Sequence, residues 1–250
     1  MKSLLQSLPR DTTHLCVIAI LYIFGISPVN AQQTSEQLNL LAEYSSELYG
    51  TNDIVVNGRK YLPEHYNANG NPYFISDEWK EGILIIDGKK YDKQELLYNV
   101  NINKVILRTT IDDSTLVYLM LNNDFIDSFY LGSHYFLNAE KHGLGDEFPG
   151  FVEQVYSSGF TVLTQHQKFF ISEYSRNKPN GFYASTKSTN YILASGQLEK
   201  IATKKSLLEY FSPHKKRVKS FMRKNKIKYK KANFIELNKL FEFCDEISSN

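Results

Sequence analysis

The sequence predicts a mainly β protein with C-terminal α: an antiparallel sheet, sandwich or open barrel followed by two or three short helices. Three observations predict it. Of 250 residues, 17 are Tyr and 16 Phe against a single Trp, and aromatic side chains favour pleated, half-buried surfaces. Two nearly identical segments, Ile54 to Tyr61 and Leu84 to Tyr91, set Asn57-Gly58 and Asp87-Gly88 between apolar runs. Such pairs mark hairpins because both turn residues need positive φ. From Leu96 to Ile201, strand-like and turn-like segments alternate with no long helix between them, which excludes a doubly wound nucleotide fold. A hydrophobic content of 42% supports a sizeable core.

The first 31 residues read as an address. Lys2 and Arg10 precede an apolar run from Leu15 to Ile26, too short for the roughly 20 residues a spanning helix needs. Ser27-Pro28-Val29-Asn30-Ala31 follows, a helix breaker and then small residues where signal peptidase cleaves. Cys16 opens the run instead of following it, so it is poorly placed for lipidation. Cleavage after Ala31 leaves Cys244 as the one mature cysteine, and a lone thiol makes no intramolecular disulfide. The expected organisation is a signal peptide over 1–31, an antiparallel β domain over 32–200 and a basic helical module over 201–250. No transmembrane helix is expected in the mature chain.

A short helical pattern, Leu38, Leu41 and Leu48 with Tyr44, is expected to open the mature chain. The repeated hairpin segment has two copies and no third, which favours a recurring hairpin over a duplicated unit. Strands are expected at Leu96 to Val100, Lys104 to Thr110, Thr115 to Leu121, Phe125 to Leu131 and Tyr135 to Leu137. After a Gly-rich loop at 142–150 come Phe151 to Tyr156, Gly159 to Leu163 and Phe169 to Glu173. Tyr191 to Ala194 and Gln197 to Ile201, around Gly196, form the last hairpin.

At Lys204 the chain changes character. Lys204 to Phe211 reads as a helix, and Ser212-Pro213 as the cap and first residue of another carrying Val218, Phe221 and Met222. Asn233 with Glu236 reads as a capping box ahead of the stripe Leu237, Leu240, Phe241, Cys244 and Ile247. Residues 200–231 hold thirteen Lys or Arg and one acid, Glu209, for a charge of +12, while residues 32–199 carry −8. The near-neutral whole conceals this separation.

Several stretches resemble a set of exported, mostly uncharacterised β-rich proteins of Bacteroidota. They are Asn71-Pro72-Tyr73-Phe74 through Trp79-Lys80-Glu81-Gly82, Asp87-Gly88-Lys89-Lys90-Tyr91, Gly150 to Tyr156, Lys204-Lys205-Ser206 and Arg223-Lys224-Asn225-Lys226. The similarity extends over most of the mature chain. It implies export and a β-rich fold, and it brings no catalytic residue with it.

Motifs for chemistry are sparse. There is no phosphate-binding Gly-x-x-x-x-Gly-Lys loop, no Gly-x-Ser-x-Gly elbow and no His-Glu-x-x-His. His134, Glu140, His142, Asp146 and Glu147 surround the Gly-rich loop without metal-ligand spacing, which favours a solvated loop. Glu78, Glu81, Asp112, Asp113, Asp146 and Glu147 offer carboxylates, yet nothing selects a pair. Tyr61, Tyr66, Tyr73, Phe74 and Trp79 suit either a stacking platform or sheet core, with core favoured. Cys244 reads as an inert buried thiol. No cofactor and no metal are expected.

The basic module alone makes a clear physical demand, since clustered cations attract polyanions. Its expected binding residues are Lys215, Lys216, Arg217, Lys219, Arg223 and Lys224. The expected function is that of a non-enzymatic, exported, periplasmic or envelope-associated protein. Its partner would be an envelope protein, a glycan or an anionic lipid or lipopolysaccharide, not nucleic acid. An extracytoplasmic hydrolase of unrecognised type is the alternative. The mature chain is expected to begin at Gln32. Intact-mass measurement on protein recovered from the native cell checks this, and a retained Met1 refutes it.

Overall fold

The structure is a computed structural model and describes residues 58–111 and 115–249. The expected signal peptide, the apolar pattern from Leu38 to Leu48, the first half of the Asn57-Gly58 hairpin and Asp112 and Asp113 lie outside these residues. The described chain falls within one compact unit, Thr51–Asn250.

Among the described residues thirteen strands appear in chain order: β1 (Gly58–Lys60), β2 (Lys80–Ile86), β3 (Lys89–Asn99), β4 (Lys104–Ile111), β5 (Thr115–Leu121), β6 (Ile126–Leu131), β7 (His134–Asn138), β8 (Phe151–Ser157), β9 (Thr161–Gln167), β10 (Phe170–Ile171), β11 (Phe182–Tyr183), β12 (Lys187–Ala194) and β13 (Gln197–Lys200). Eleven form one open sheet in the order β1-β5-β4-β3-β2-β6-β7-β8-β9-β12-β13, and β10 pairs with β11. Every strand pairing is antiparallel.

Local chemistry explains the tight turns. Asp87 and Gly88 have φ of 47° and 78°, and Ser195 and Gly196 have 50° and 76°. Both are two-residue turns with two positive φ values, the form whose twist matches antiparallel strands. Gly58–Lys60 pairs with β5. The two segments expected around Tyr91 and Leu96 fuse into the single 11-residue β3. It is held on both sides, by β2 and β4, and positive φ at Lys93 (53°) takes up the irregularity. Opposite it, a Cβ on Gly82 would lie 2.3 Å from the Tyr130 carbonyl oxygen, so only glycine admits this approach of β6. Strand β9 extends beyond its expected end because β12 pairs with it as far as Gln167.

On one face, Phe74, Tyr98, Phe129, Phe136 and Phe151 pack ring against ring, with Phe129 and Phe136 stacked at 4.7 Å. Val155 of β8, Val162 of β9 and Ile192 of β12 are covered differently, by three helices: α1 (Lys204–Tyr210), α2 (Lys215–Lys224) and α3 (Phe234–Ser248). Thr203 and Ser206 form a reciprocal cap on α1, and Asn233 and Glu236 one on α3. Ser212 does not cap α2. Phe211, buried in the core, takes the cap position of a 3₁₀ turn over Ser212–His214 that carries Pro213 and leads into α2.

Helix α3 buries Leu237, Leu240, Phe241, Cys244 and Ile247 against Val155, Phe160, Val162 and Ile192. Polar bonds fix its register. The pairing of β8 with β9 shifts between Gln154 and Tyr156, and the carbonyl of the intervening Val155 accepts a bond from Asn238 Nδ2 at 2.8 Å. Asp245 Oδ2 accepts from Tyr156 Oη at 2.8 Å and from the Gly159 N–H at 3.0 Å. Tyr229 Oη donates to the Ile201 carbonyl at 2.6 Å and accepts from Asn190 Nδ2 at 3.1 Å.

Replacing Asp245 by Ala removes both acceptor bonds to the β8–β9 hairpin. Losing bonds to a charged group costs about 1–3 kcal/mol, so thermal unfolding should fall by several degrees. An unchanged melting temperature would show that Asp245 does not hold the helix to the sheet.

Candidate functional site

Two sites involve the helical module. The first is the basic face. The heptad-like spacing of Val218 and Met222 buries one stripe of α2 and leaves Lys215, Lys216, Arg217, Lys219, Arg223 and Lys224 exposed. Lys216, Lys219 and Arg223 are brought together with Lys204, Lys226 and Lys228 around a groove of about 620 Å³, which Met222 and Ile227 also line. Lys215, Arg217 and Lys224 do not line it. Among the described residues none of the six groove cations has an ion pair; the basic segment's one salt bridge is Lys205 to Glu209 at 3.7 Å. Lys226, at φ 58°, turns the chain out of α2 so that Lys228 joins the same groove. Sequence reasoning missed Lys204, Lys226 and Lys228 as site residues because they flank α2 instead of sitting on it.

The second site was not foreseen. Glu153 lies on β8, flanked by His134 on β7 and His166 on β9. Antiparallel register sets Phe136 and Thr164 opposite Glu153. Side chains two residues along share a face, so His134 and His166 come to its two diagonal neighbours. Glu153 Oε1 meets His134 Nδ1 at 2.5 Å, and Oε2 meets His166 Nε2 at 2.7 Å. Ser188, paired with His166 across β9 and β12, has its Oγ 2.9 Å from His166 Nδ1. The Phe74 ring stands 4.9 Å from both imidazoles.

Electrostatics fix the proton positions. Burial pushes the Glu153 carboxyl towards neutrality, but bonds from His134 and His166 outweigh it and hold the group below the usual carboxylate range. An ionised carboxylate only accepts, so His134 Nδ1 and His166 Nε2 carry protons. In neutral His166 the other nitrogen, Nδ1, is then an acceptor facing the Ser188 hydroxyl. The cluster opens on a cavity of about 370 Å³ whose lining includes Phe74, Val155, Ala232, Phe234 and Leu237. Ile75 stands at its rim, 62% exposed and at φ 62°, a strained conformation for a β-branched residue.

Other sequence candidates are dispersed. Glu140, His142, Asp146 and Glu147 are exposed on the Gly-rich loop, whereas His134 faces Glu153. Glu78 and Glu81 are exposed, and no side chain converges with either as a catalytic pair. Tyr61 and Phe74 are buried, Tyr66 is exposed, and Trp79 stacks on Tyr118 at 5.4 Å, so the five aromatics form no single platform. Burial pushes the Cys244 thiol up to about 12, which leaves it inert. Among the described residues no group of three His, Cys, Asp or Glu is arranged to hold a metal ion, and no helix is long and apolar enough to cross a membrane.

No protein-family model, curated protein or solved structure matches this chain.

Because the Glu153 pKa is depressed in the fold, its ionised form stabilises the protein above the ordinary carboxylate range of about 4.3. That contribution is lost as pH falls through the lower folded-state value. Glu153→Gln should therefore lower the melting temperature more at about pH 7 than at about pH 3. Melts of both proteins at the two pH values check this, and an equal decrement at both would contradict it.

Proposed function

We propose that this chain is an exported, envelope-associated protein whose helical module binds an anionic surface through the phosphates of lipid or lipopolysaccharide headgroups. The observation that carries the reading is the groove: six cations around Met222 and Ile227, none with an ion pair among the described residues. A cationic rim with apolar lining suits a phosphorylated amphiphile better than a sugar, which would need paired donors and acceptors. Export rests on the N-terminal pattern from Lys2 to Ala31. The hydrolase alternative draws on a different observation, the hydrogen-bonded Ser188, His166 and Glu153.

Cosedimentation with anionic vesicles should weaken steeply as the Debye length shortens from about 30 Å at 0.01 M salt to about 8 Å at 0.15 M. Each cation near such a surface contributes about 1 kcal/mol. Replacing Lys216, Lys219 and Arg223 with Gln should therefore weaken binding roughly 100-fold with the melting temperature little changed. Replacing Lys215, Arg217 and Lys224 removes the same charge away from the groove and should cost less. Equal losses would show diffuse attraction without use of the groove. Negligible wild-type binding, or a marked fall in melting temperature for the groove variant, would overturn the proposal.

A further inference from the structure

The geometry points to an acyl-transfer site in the cavity beside α3, with Ser188 as nucleophile, His166 as base and Glu153 as the group that orients it, acting on an ester with a short apolar acyl chain. It is independent of the basic groove. Nucleophilic catalysis by serine needs a base within hydrogen-bond reach and a third group that fixes the base. Here the distances are 2.9 Å from Ser188 Oγ to His166 Nδ1 and 2.7 Å from His166 Nε2 to Glu153 Oε2. The acid uses Nε2 and the serine Nδ1, an exchange relative to the serine-protease arrangement. The chemistry asks only that the two partners occupy opposite ring nitrogens.

The surroundings fit the same reaction. Ser188 is exposed, while His166 and Glu153 are buried, so the nucleophile meets solvent and its supports do not. His134 bonds the second oxygen of Glu153 and keeps the carboxylate from turning away from His166. Phe74, Val155 and Leu237 offer apolar surface for an acyl chain, and about 370 Å³ lies in the range of small-molecule pockets, roughly 300–1,000 Å³. Phe234 and Ile235 also line the cavity. They occupy the first turn of α3, where N–H groups have no acceptor within the helix, so the positive end of α3 favours the charge of a tetrahedral intermediate there.

The steps balance without another reagent. Ser188 Oγ bonds to the acyl carbon as its proton passes to His166 Nδ1. The ester C–O bond breaks, and that proton leaves with the alcohol. Water then adds to the acyl carbon and gives a proton to His166 Nδ1. The bond from carbon to Oγ breaks, Oγ recovers the proton, and the carboxylic acid departs.

The test is labelling of the full mature chain with a fluorophosphonate probe, together with hydrolysis of p-nitrophenyl butyrate. Wild-type protein should be labelled at Ser188, located by peptide mass, and should hydrolyse the ester above the buffer rate. Ser188→Ala should abolish labelling and lower hydrolysis at least 100-fold with an unchanged melting temperature, since the side chain is exposed and its one hydrogen bond is to His166. No labelling and no hydrolysis by folded wild-type protein, or labelling retained in Ser188→Ala, would overturn the assignment.

Discussion

An open antiparallel sheet cannot cover its own apolar faces, and that constraint governs this protein. Strands β8, β9 and β12 place Val155, Val162 and Ile192 outside the aromatic cluster that Phe129 and Phe136 build. The three helices supply the missing layer, joining those residues in one core with Leu240, Phe241 and Cys244. Burying such side chains is worth about 1.5–3 kcal/mol each, and removing the helices would expose all of them together. The C-terminal module is thus part of the fold, although its charge sets it apart from the sheet.

The same demand sorts the charges. A helix that gives one stripe to the core must send its remaining positions to solvent. In α2 those positions are nearly all Lys or Arg, so packing Val218 and Met222 inward concentrates cations outward. Residues 200–231 hold one acid to neutralise them, Glu209, and Lys205 with Glu209 is an exposed pair of the kind worth about 1 kcal/mol or less. The result is a self-repelling face whose energy falls whenever an anion approaches. Among the described residues no acid of the sheet forms an ion pair with a groove cation.

What could be read from the sequence was local. Asp87-Gly88 and Gly196 mark turns through φ, Asn233 and Glu236 mark a helix start three residues apart, and Leu237 to Ile247 mark a buried stripe by period. Strand β5 occupies the expected residues because turn residues bound both its ends. The Ser188–His166–Glu153–His134 chain was illegible for the opposite reason. Its members sit on four strands, and their meeting depends on register, including the shift beside Val155. One signal was available: Glu153 follows Phe151 by two, and His166 follows Val162 and Thr164 by four and two, so alternation puts ionisable groups on the inward face. A buried carboxylate there needs partners, and histidines on the adjoining strands were the available ones. The misplaced cap at Ser212 has a different origin. Local preference favoured Ser-Pro as a helix start, but Ser212 to His214 form a 3₁₀ turn with buried Phe211 at its cap position, and His214 takes the cap position of α2 itself.

The two sites share a wall. Residues 226–233 connect α2 to α3; Lys226, Ile227 and Lys228 face the groove, and Ala232 and Asn233 face the cavity beside Glu153. Between them Tyr229 is buried, with its hydroxyl bonded to Ile201 and Asn190. Asn190 in turn accepts from Thr164 Oγ1 at 2.8 Å, and Thr164 lies opposite Glu153. The connector therefore cannot shift at one site without straining a chain of buried bonds that ends beside the other. A buried donor or acceptor left without a partner costs about 1–3 kcal/mol, which makes this joint rigid. Such rigidity suits a cavity whose bonds need fixed distances, and it holds the cationic rim in place on the opposite side of the same segment.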